Sequence, residues 1–413
     1  MQIEIDGGRL VSEIEELSGY SDAEPPAVTR VVFGPSDKMA RGWLASLCHE
    51  AKLAVREDAV GNLFARWAGM RPELPAVGTG SHIDAIPYAG KFDGTVGVLG
   101  GLEAIRALQR SGFRPQRSIE LLLFTSEEPT RFGIGCFGSR LLSGTLSDSA
   151  DEGFKDAEGR TLRELRTAAG YSGSLAEVRL SDSYYDAFVE LHIEQGQLLE
   201  KEAIPIGVVT QIAAPAGMRI SVEGEGGHAG AVLMDDRKDA FCAAAEIVLA
   251  VERSARSTGA RDTCGTVGKC QIYPGAVNSI PSRVLLEVDV RDTDEARRND
   301  VLREIENACE EIAGKRGVAV KVELVNADPP AQCSGKIIST VIESADELGL
   351  SYKKMVSRAY HDSLFMARIA PTGMIFIPCR KGISHRPDEY ASPESIGKGT
   401  HLLASALAKL ASA

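Results

Sequence analysis

The chain has 413 residues, with 46 Lys and Arg against 58 Asp and Glu, a net charge of −12 and 44% apolar residues. The length suggests two domains more than one, and the composition is that of an ordinary globular protein. The acidic balance argues against nucleic acid or an anionic membrane as partner. Anionic small molecules stay open, because divalent ions and local arginines invert the sign of a cleft.

Residues 1–6 offer neither a basic nor an apolar leader. No signal peptide is therefore expected, and the expected location is cytoplasmic, with a targeting segment removed from upstream left open. No apolar run reaches the roughly 18 residues that a transmembrane helix needs. The eight cysteines form no Cys-x-x-Cys pair and read as mostly buried, reduced thiols. To about residue 62 the texture is helical with loops. From 75 it alternates. An apolar run spans 75–84. A helix over 94–111 places Val96, Leu99, Leu102, Ile105 and Leu108 near a 3.6-residue period and is broken by Gly112, and a strand follows over 118–124. Such alternation implies an α/β sheet with right-handed crossovers, whose ligands gather outside the carboxyl ends of the strands. Residues 218–326 look inserted. Strand 218–223, helix 236–254, strands 265–272 and 283–289, helix 295–316 and strand 318–325 give the βαββαβ order of ferredoxin-like units. Helix 336–348, strand 372–378 and a last helix from Pro393 resume the first texture. The expected division is 1–213 with 328–413 as one domain and 214–327 as the other.

Metal-ligand residue types collect at the ends of these runs. His82 and Asp84 close the 75–84 run; Asp93 precedes Gly94; Glu127 and Glu128 follow the 118–124 strand; His192 and Gln195 lie in Glu190-Leu191-His192-Ile193-Glu194-Gln195-Gly196; His361 follows Tyr360; and His385 ends Gly382-Ile383-Ser384-His385. His228 stands mid-chain in Gly226-Gly227-His228-Ala229-Gly230. Singly, each has a plain reading: Asp-Gly is a common turn pair, and two glutamates can be a solvated face. Together they form a complete two-metal hydrolase set. His82, His192 and His385 supply nitrogen, Asp93 and Glu128 supply oxygen, and Glu127 is left as a base. Neighbouring strand residues point opposite ways, so only one of Glu127 and Glu128 is expected to face the metal easily.

These motifs resemble the metal-dependent aminoacylase/carboxypeptidase clan of amidohydrolases, and within it the branch that cleaves ureido compounds. The similarity runs from about residue 5 to the C-terminus, and the stretches 80–88, 124–134, 190–196 and 382–385 are specific to that branch. The resemblance implies an α/β, di-metal aminopeptidase-like catalytic domain with an inserted ferredoxin-like lid and dimerisation domain. It implies two divalent ions per subunit, manganese first and zinc as the alternative, in a homodimer. His82 and His192 would bind one ion, Glu128 and His385 the other, and Asp93 would bridge them. Glu127 would be the general base, and Asp84 would orient a metal-bound histidine. His228 would polarise the scissile carbonyl while Asn278 and Arg291 hold the substrate carboxylate, all three reaching in from the partner subunit. Gln195, Tyr360 and His361 would be further substrate contacts. Tyr360 stands where the commoner pattern has glycine, so its ring should narrow the pocket and its hydroxyl should bond a small polar substrate. With 229–234 and Ile377-Pro378-Cys379, this is similar to the ureidoglycolate-cleaving members. The implied reaction is hydrolysis of ureidoglycolate to glyoxylate, ammonia and carbon dioxide in purine breakdown. Allantoate or N-carbamoyl-L-amino acid hydrolysis is the alternative, and a peptidase or aminoacylase of the clan the second.

Overall fold

Four parallel strands lie side by side in the order Thr372–Ile377, Tyr185–Ile193, Ala76–Ser81 and Ile119–Leu123 in the computed structural model, which describes residues 2–412. They are buried almost throughout. Strands covered on both faces read as nearly continuous apolar runs, and these do. Antiparallel strands widen the sheet, Ile206–Ile212 on one side and Leu63–Trp67, then Ala54–Glu57, on the other; Ala331–Gln332 and Tyr352–Ser357 pair with Ile206–Ile212 and bring the count to nine among the described residues.

Alternate side chains go to opposite faces. Leu121, Leu123, Val189, Leu191 and Ile193 join one core together with residues of the helices Thr95–Arg110 and Pro393–Ala411. Leu122, Phe124 and Phe188 join a second core with Phe137, Leu162 and Leu165. Val96, Leu99, Leu102, Ile105 and Leu108 of the expected helix are all fully buried. Truncating one such leucine to alanine typically costs about 2–5 kcal/mol. Before residue 62 the chain holds the helices Gly7–Ser18 and Pro35–Glu50, but also the strands Val28–Arg30 and Ala54–Glu57. Those strands are too short to show a period in the sequence.

Residues Gln211–Ala331 and Arg358–Tyr360 make up the smaller of two units, and the rest the larger. The smaller unit carries a four-stranded antiparallel sheet in the order Cys264–Tyr273, Arg283–Asp292, Ala214–Glu223 and Ala319–Ala327, with the helices Ala240–Ser257 and Glu295–Arg316. Val284, Leu286, Val288 and Val290 alternate into one core with Ile247 and Ile305 of those helices. The first helix starts at Ala240, later than the sequence suggests. Asp239 is its cap, accepting the backbone N–H groups of Phe241 and Cys242 at 2.8 and 3.1 Å.

Cys48, Cys136, Cys309 and Cys379 are buried, but Cys242, Cys264 and Cys270 are exposed, which corrects the expectation of mostly buried thiols. Two of the three lie on the strand Cys264–Tyr273, an edge with a sheet neighbour on one side only. No helix among the described residues is long and apolar enough to cross a membrane.

Candidate active site

The carboxyl ends of the four parallel strands deliver the polar residues. His82 follows Ser81, Glu127 and Glu128 follow Leu123 by a short turn, His192 closes its own strand, and His385 comes from the loop after Ile377. Two imidazoles are fixed by the backbone. His82 Nδ1 lies 3.0 Å from the Asp84 carbonyl and His192 Nδ1 lies 2.9 Å from the Ile193 carbonyl. A carbonyl only accepts, so each Nδ1 carries the proton and each Nε2 is turned toward the cluster.

Asp93 sits at the centre. Its Oδ1 is 3.1 Å from His192 Nε2 and 3.7 Å from His82 Nε2, and its Oδ2 is 3.2 Å from His385 Nε2. The Gln195 amide donates to Oδ2 at 2.7 Å, and Ser384 Oγ stands 2.8 Å from it. Gly94, at φ 65°, starts the following helix; a Cβ there would come within 2.5 Å of the His82 ring, so only glycine lets that helix approach so closely. His82, Asp93 and His192 can bring ligand atoms within 4.8 Å of one another, and so can Asp93, Glu128 and His385. The two groups share Asp93, one oxygen facing each.

The glutamate pair departs from expectation. Glu127 and Glu128 lie in a turn rather than a strand, after Ser126 at φ 56°, and both carboxylates reach the cluster. Glu128 Oε1 is 3.3 Å from His385 Nε2, while Glu127 Oε2 is 3.7 Å from His82 Nε2 and Glu127 Oε1 accepts from the Cys136 thiol at 3.5 Å. The strand-alternation rule fails here because the backbone has left the strand. Asp84 secures the turn: its two carboxylate oxygens accept the N–H groups of Glu127 and Glu128 at 3.2 and 3.0 Å. Its carboxylate thus holds the glutamates while its carbonyl orients His82.

The electrostatics suit divalent cations. Burial, then Glu128, Asp362, Asp93 and Asp84, push Glu127 well above the usual carboxylate range. Burial and Asp37 raise Asp84 to about 7. Burial opposes charge on His192, yet the Asp93 carboxylate outweighs it and holds the imidazole at about 9. Asp93 and Glu128 raise His385 to about 11. So many acids packed against so few imidazoles need added positive charge, and mixed imidazole and carboxylate donors are what zinc or manganese accepts. Glu190, His192 and His361 form a third group within 4.8 Å. There, however, Glu190 accepts the hydroxyls of Ser81 and Ser363 at 2.8 and 2.5 Å, and His361 Nε2 pairs with Ser357 Oγ at 2.9 Å.

Sequence reasoning missed Glu389, which is buried and accepts the N–H groups of Phe92 and Asp93 at 2.8 and 3.0 Å. It has no periodic signal in the sequence. Glu190 had a signal of another kind, an acid set between the apolar residues Val189 and Leu191 of its strand. Ser384 lay within a recognised motif without a role.

The larger unit brings together His82, Asp84, Asp93, Glu127, Glu128, His192 and His385, with Gln195 on Asp93 and the His361 ring 4.5 Å from that of His192. His228, Asn278, Arg291 and Tyr360 belong to the smaller unit. There Gly227–His228 pairs antiparallel with Ser279–Ile280, and the Ala229 N–H donates to the Asn278 carbonyl at 2.9 Å, which makes exposed His228 and exposed Asn278 neighbours. Arg291 pairs with Asp289 at 2.7 Å. The Tyr360 hydroxyl donates to the Asp328 carboxylate at 3.2 Å.

Known proteins match this arrangement over its length. Arabidopsis thaliana ureidoglycolate hydrolase is 54% identical over 99% of this chain and 87% of its own length. The N-carbamoyl-L-amino acid amidohydrolase of Geobacillus stearothermophilus is 38% identical over 97% of each chain. The crystal structure of AtUAH in complex with glyoxylate superposes with a TM-score of 0.95 at 54% identity, covering 99% of this chain and 98% of the other. The model of peptidase family M20/M25/M40 matches residues 78–409. The chain therefore belongs to peptidase family M20/M25/M40, and within that family to the amidohydrolases that cleave non-peptide C–N bonds.

Proposed function

We propose that this chain is a ureidoglycolate amidohydrolase, acting as a homodimer with two divalent ions per subunit, manganese first and zinc as the alternative. The observation that carries the reading is the 54% identity, across almost the whole chain, with a ureidoglycolate hydrolase, against 38% with an N-carbamoyl-L-amino acid amidohydrolase. The donor set supports the metal reading: His82 and His192 for one ion, Glu128 and His385 for the other, and Asp93 with an oxygen toward each. When bound, such ions polarise a carbonyl and lower the pKa of water.

The residues then divide the work. Glu127 takes a proton from the attacking water and passes it to the departing nitrogen. Burial among acids makes it a strong enough base for that exchange. Asp84 keeps Glu127, Glu128 and His82 in mutual register. Water adds to the ureido carbonyl and ammonia leaves; the resulting carbamate loses carbon dioxide. The hydroxyglycine that remains releases a second ammonia to give glyoxylate, with one water consumed overall. His228 stabilises the developing oxyanion, and Asn278 and Arg291 bind the substrate carboxylate, each in the cleft of the partner subunit. Gln195, His361 and Tyr360 line the substrate. The eight free cysteines suit a cytoplasmic, reducing location.

Ammonia release from manganese-reconstituted protein, offered ureidoglycolate, allantoate, an N-carbamoyl-L-amino acid and N-carbamoyl-β-alanine, tests the reading. The highest kcat/KM is expected on ureidoglycolate, and a preference for any other member of the panel would replace it.

A further inference from the structure

We infer that Glu389 is a positioning residue that locks the Asp93 loop to the His385 loop, so that the ion held through His385 is retained only while this clamp is intact. The inference rests on the two-ion reading above. Glu389 is buried, 4% exposed. Its Oε1 accepts two consecutive backbone N–H groups, those of Phe92 and Asp93. Its Oε2 lies 2.8 Å from Ser384 Oγ, and the same hydroxyl lies 2.8 Å from Asp93 Oδ2. One carboxylate therefore grips the bridging aspartate through its backbone and, by way of a serine next to His385, through its side chain. The fit is close. A Cβ on Gly90 would stand 2.3 Å from the Glu389 Cβ, so the 90–93 loop packs directly on this residue. The Arg380 N–H donates to the Tyr390 carbonyl at 2.8 Å, closing the base of the loop that carries both Ser384 and His385.

The two ion sites differ in what holds their histidines. His82 and His192 are 2% and 1% exposed, sit at strand ends and have Nδ1 fixed by a backbone carbonyl. His385 lies in a loop at φ 59° with a side chain 47% exposed. Its placement depends on the loop, and the loop is tied inward through Ser384 and Glu389. Partners one step beyond the ligands typically govern metal affinity by about 10–100-fold. Here that leverage falls on one site of the two.

The test counts manganese per subunit by elemental analysis after loading and exhaustive dialysis, with melting of the chelator-treated protein measured alongside. Wild type should keep two ions. Glu389→Leu should keep about one and bind the other roughly 10–100-fold more weakly. Glu389→Gln should keep both, because its amide oxygen can accept from Phe92 and Asp93 while its NH₂ donates to Ser384, leaving the serine proton for Asp93. Ser384→Ala removes only the bridge and should weaken the same ion by less; it carries the test if Glu389→Leu does not fold. Retention of both ions at wild-type affinity in Glu389→Leu, parallel loss of both, or a Gln variant as leaky as Leu would overturn the inference. A wild type that binds no ion would instead sink the two-ion reading.

Discussion

The larger and smaller units hold their chemical groups in opposite ways. Around Asp93 the carboxylates and most imidazoles are buried, and several have a second fixed partner: a carbonyl behind His82 and His192, two N–H groups on Asp84, two more on Glu389. In the smaller unit His228 stands exposed on a two-residue ladder with exposed Asn278 beside it, and half-buried Arg291 is held by both oxygens of Asp289 on its own strand. A metal site repels its own ligands until the ion arrives, so the fold must force them together beforehand. A residue that grips an incoming carboxylate needs reach and access, which an exposed ladder supplies. On the proposed reading, the ion ligands and the proton-transferring Glu127 belong to the larger unit, and the smaller unit supplies groups that reach for the substrate.

The largest effect should come from the buried side. Glu127→Gln is nearly isosteric and keeps every backbone contact of the turn, so metal content and dimer should persist. The amide cannot accept the water proton, and turnover should fall by about 10²–10⁴-fold or more. More than about a tenth of wild-type activity in a fully metallated variant would remove Glu127 from the base role.

The exposed side is tested by mixing. His228→Ala, and separately Arg291→Ala, should be inactive as pure dimers. In a mixed dimer of Glu127→Gln with His228→Ala, one cleft pairs an intact Glu127 with the partner's intact lid. Random exchange should restore up to roughly a quarter of wild-type activity, half of the dimers being mixed with one good cleft in two. No recovery, with exchange verified by native mass spectrometry, would mean that each smaller unit serves its own subunit.

The cluster should also show its strain in pH dependence. Asp84 and Glu389 are held at about 7, His192 at about 9 and His385 at about 11. Unfolded carboxyls titrate near about 4 and imidazoles near about 6.5. All four thus bind protons more tightly in the folded protein, and stability must fall as those protons leave. For the two carboxyls the loss runs from about pH 4 to about 7; for the imidazoles it starts near about 6.5 and continues through 9 toward 11. Asp93, held low, acts in the opposite sense only below about pH 4, and His82, held low by burial, only below about pH 6.5, where one imidazole opposes two carboxyls. Chelator-treated protein should therefore melt at progressively lower temperature from about pH 5 to about 9, and manganese should flatten the trend by replacing the protons. A melting temperature that climbs with pH in chelator would contradict these shifts.

Much of this arrangement was legible in the sequence because it follows two simple periods. Five apolar positions at helical spacing mark the helix after Gly94, and all five are buried. Apolar runs ending in histidine or acid mark the carboxyl edge of a parallel sheet. What stayed hidden depends on single dihedrals or long-range pairing. The left-handed φ of Ser126, which turns both Glu127 and Glu128 inward, leaves no trace in a pattern of apolar and polar residues. Nor does the match between Glu389 and the backbone of Phe92 and Asp93, nearly three hundred residues away. Glu190 was visible as an odd acid, but its partners Ser81 and Ser363 emerge only when distant segments meet.

Tyr360 stands at the boundary of the comparison and should give the smallest effect of the set. By its contacts it belongs to the smaller unit, while His361, its neighbour in the chain, belongs to the larger. The sequence suggested two roles for it, bulk from the ring and a hydroxyl bond to substrate. The structure gives the hydroxyl a partner within the protein, Asp328 at 3.2 Å, so the two roles can be separated. Tyr360→Phe removes a hydrogen bond worth about 1 kcal/mol and should cost mainly stability. The preference for ureidoglycolate over allantoate, as the ratio of kcat/KM values, should change by no more than a few-fold. Tyr360→Gly removes the ring as well and should lower that ratio by roughly tenfold or more, since shape alone discriminates on that scale. An unchanged ratio in Tyr360→Gly would take Tyr360 out of substrate choice. A fall in Tyr360→Phe as deep as in Tyr360→Gly would return the hydroxyl to the substrate and mean that its bond to Asp328 yields when ureidoglycolate binds.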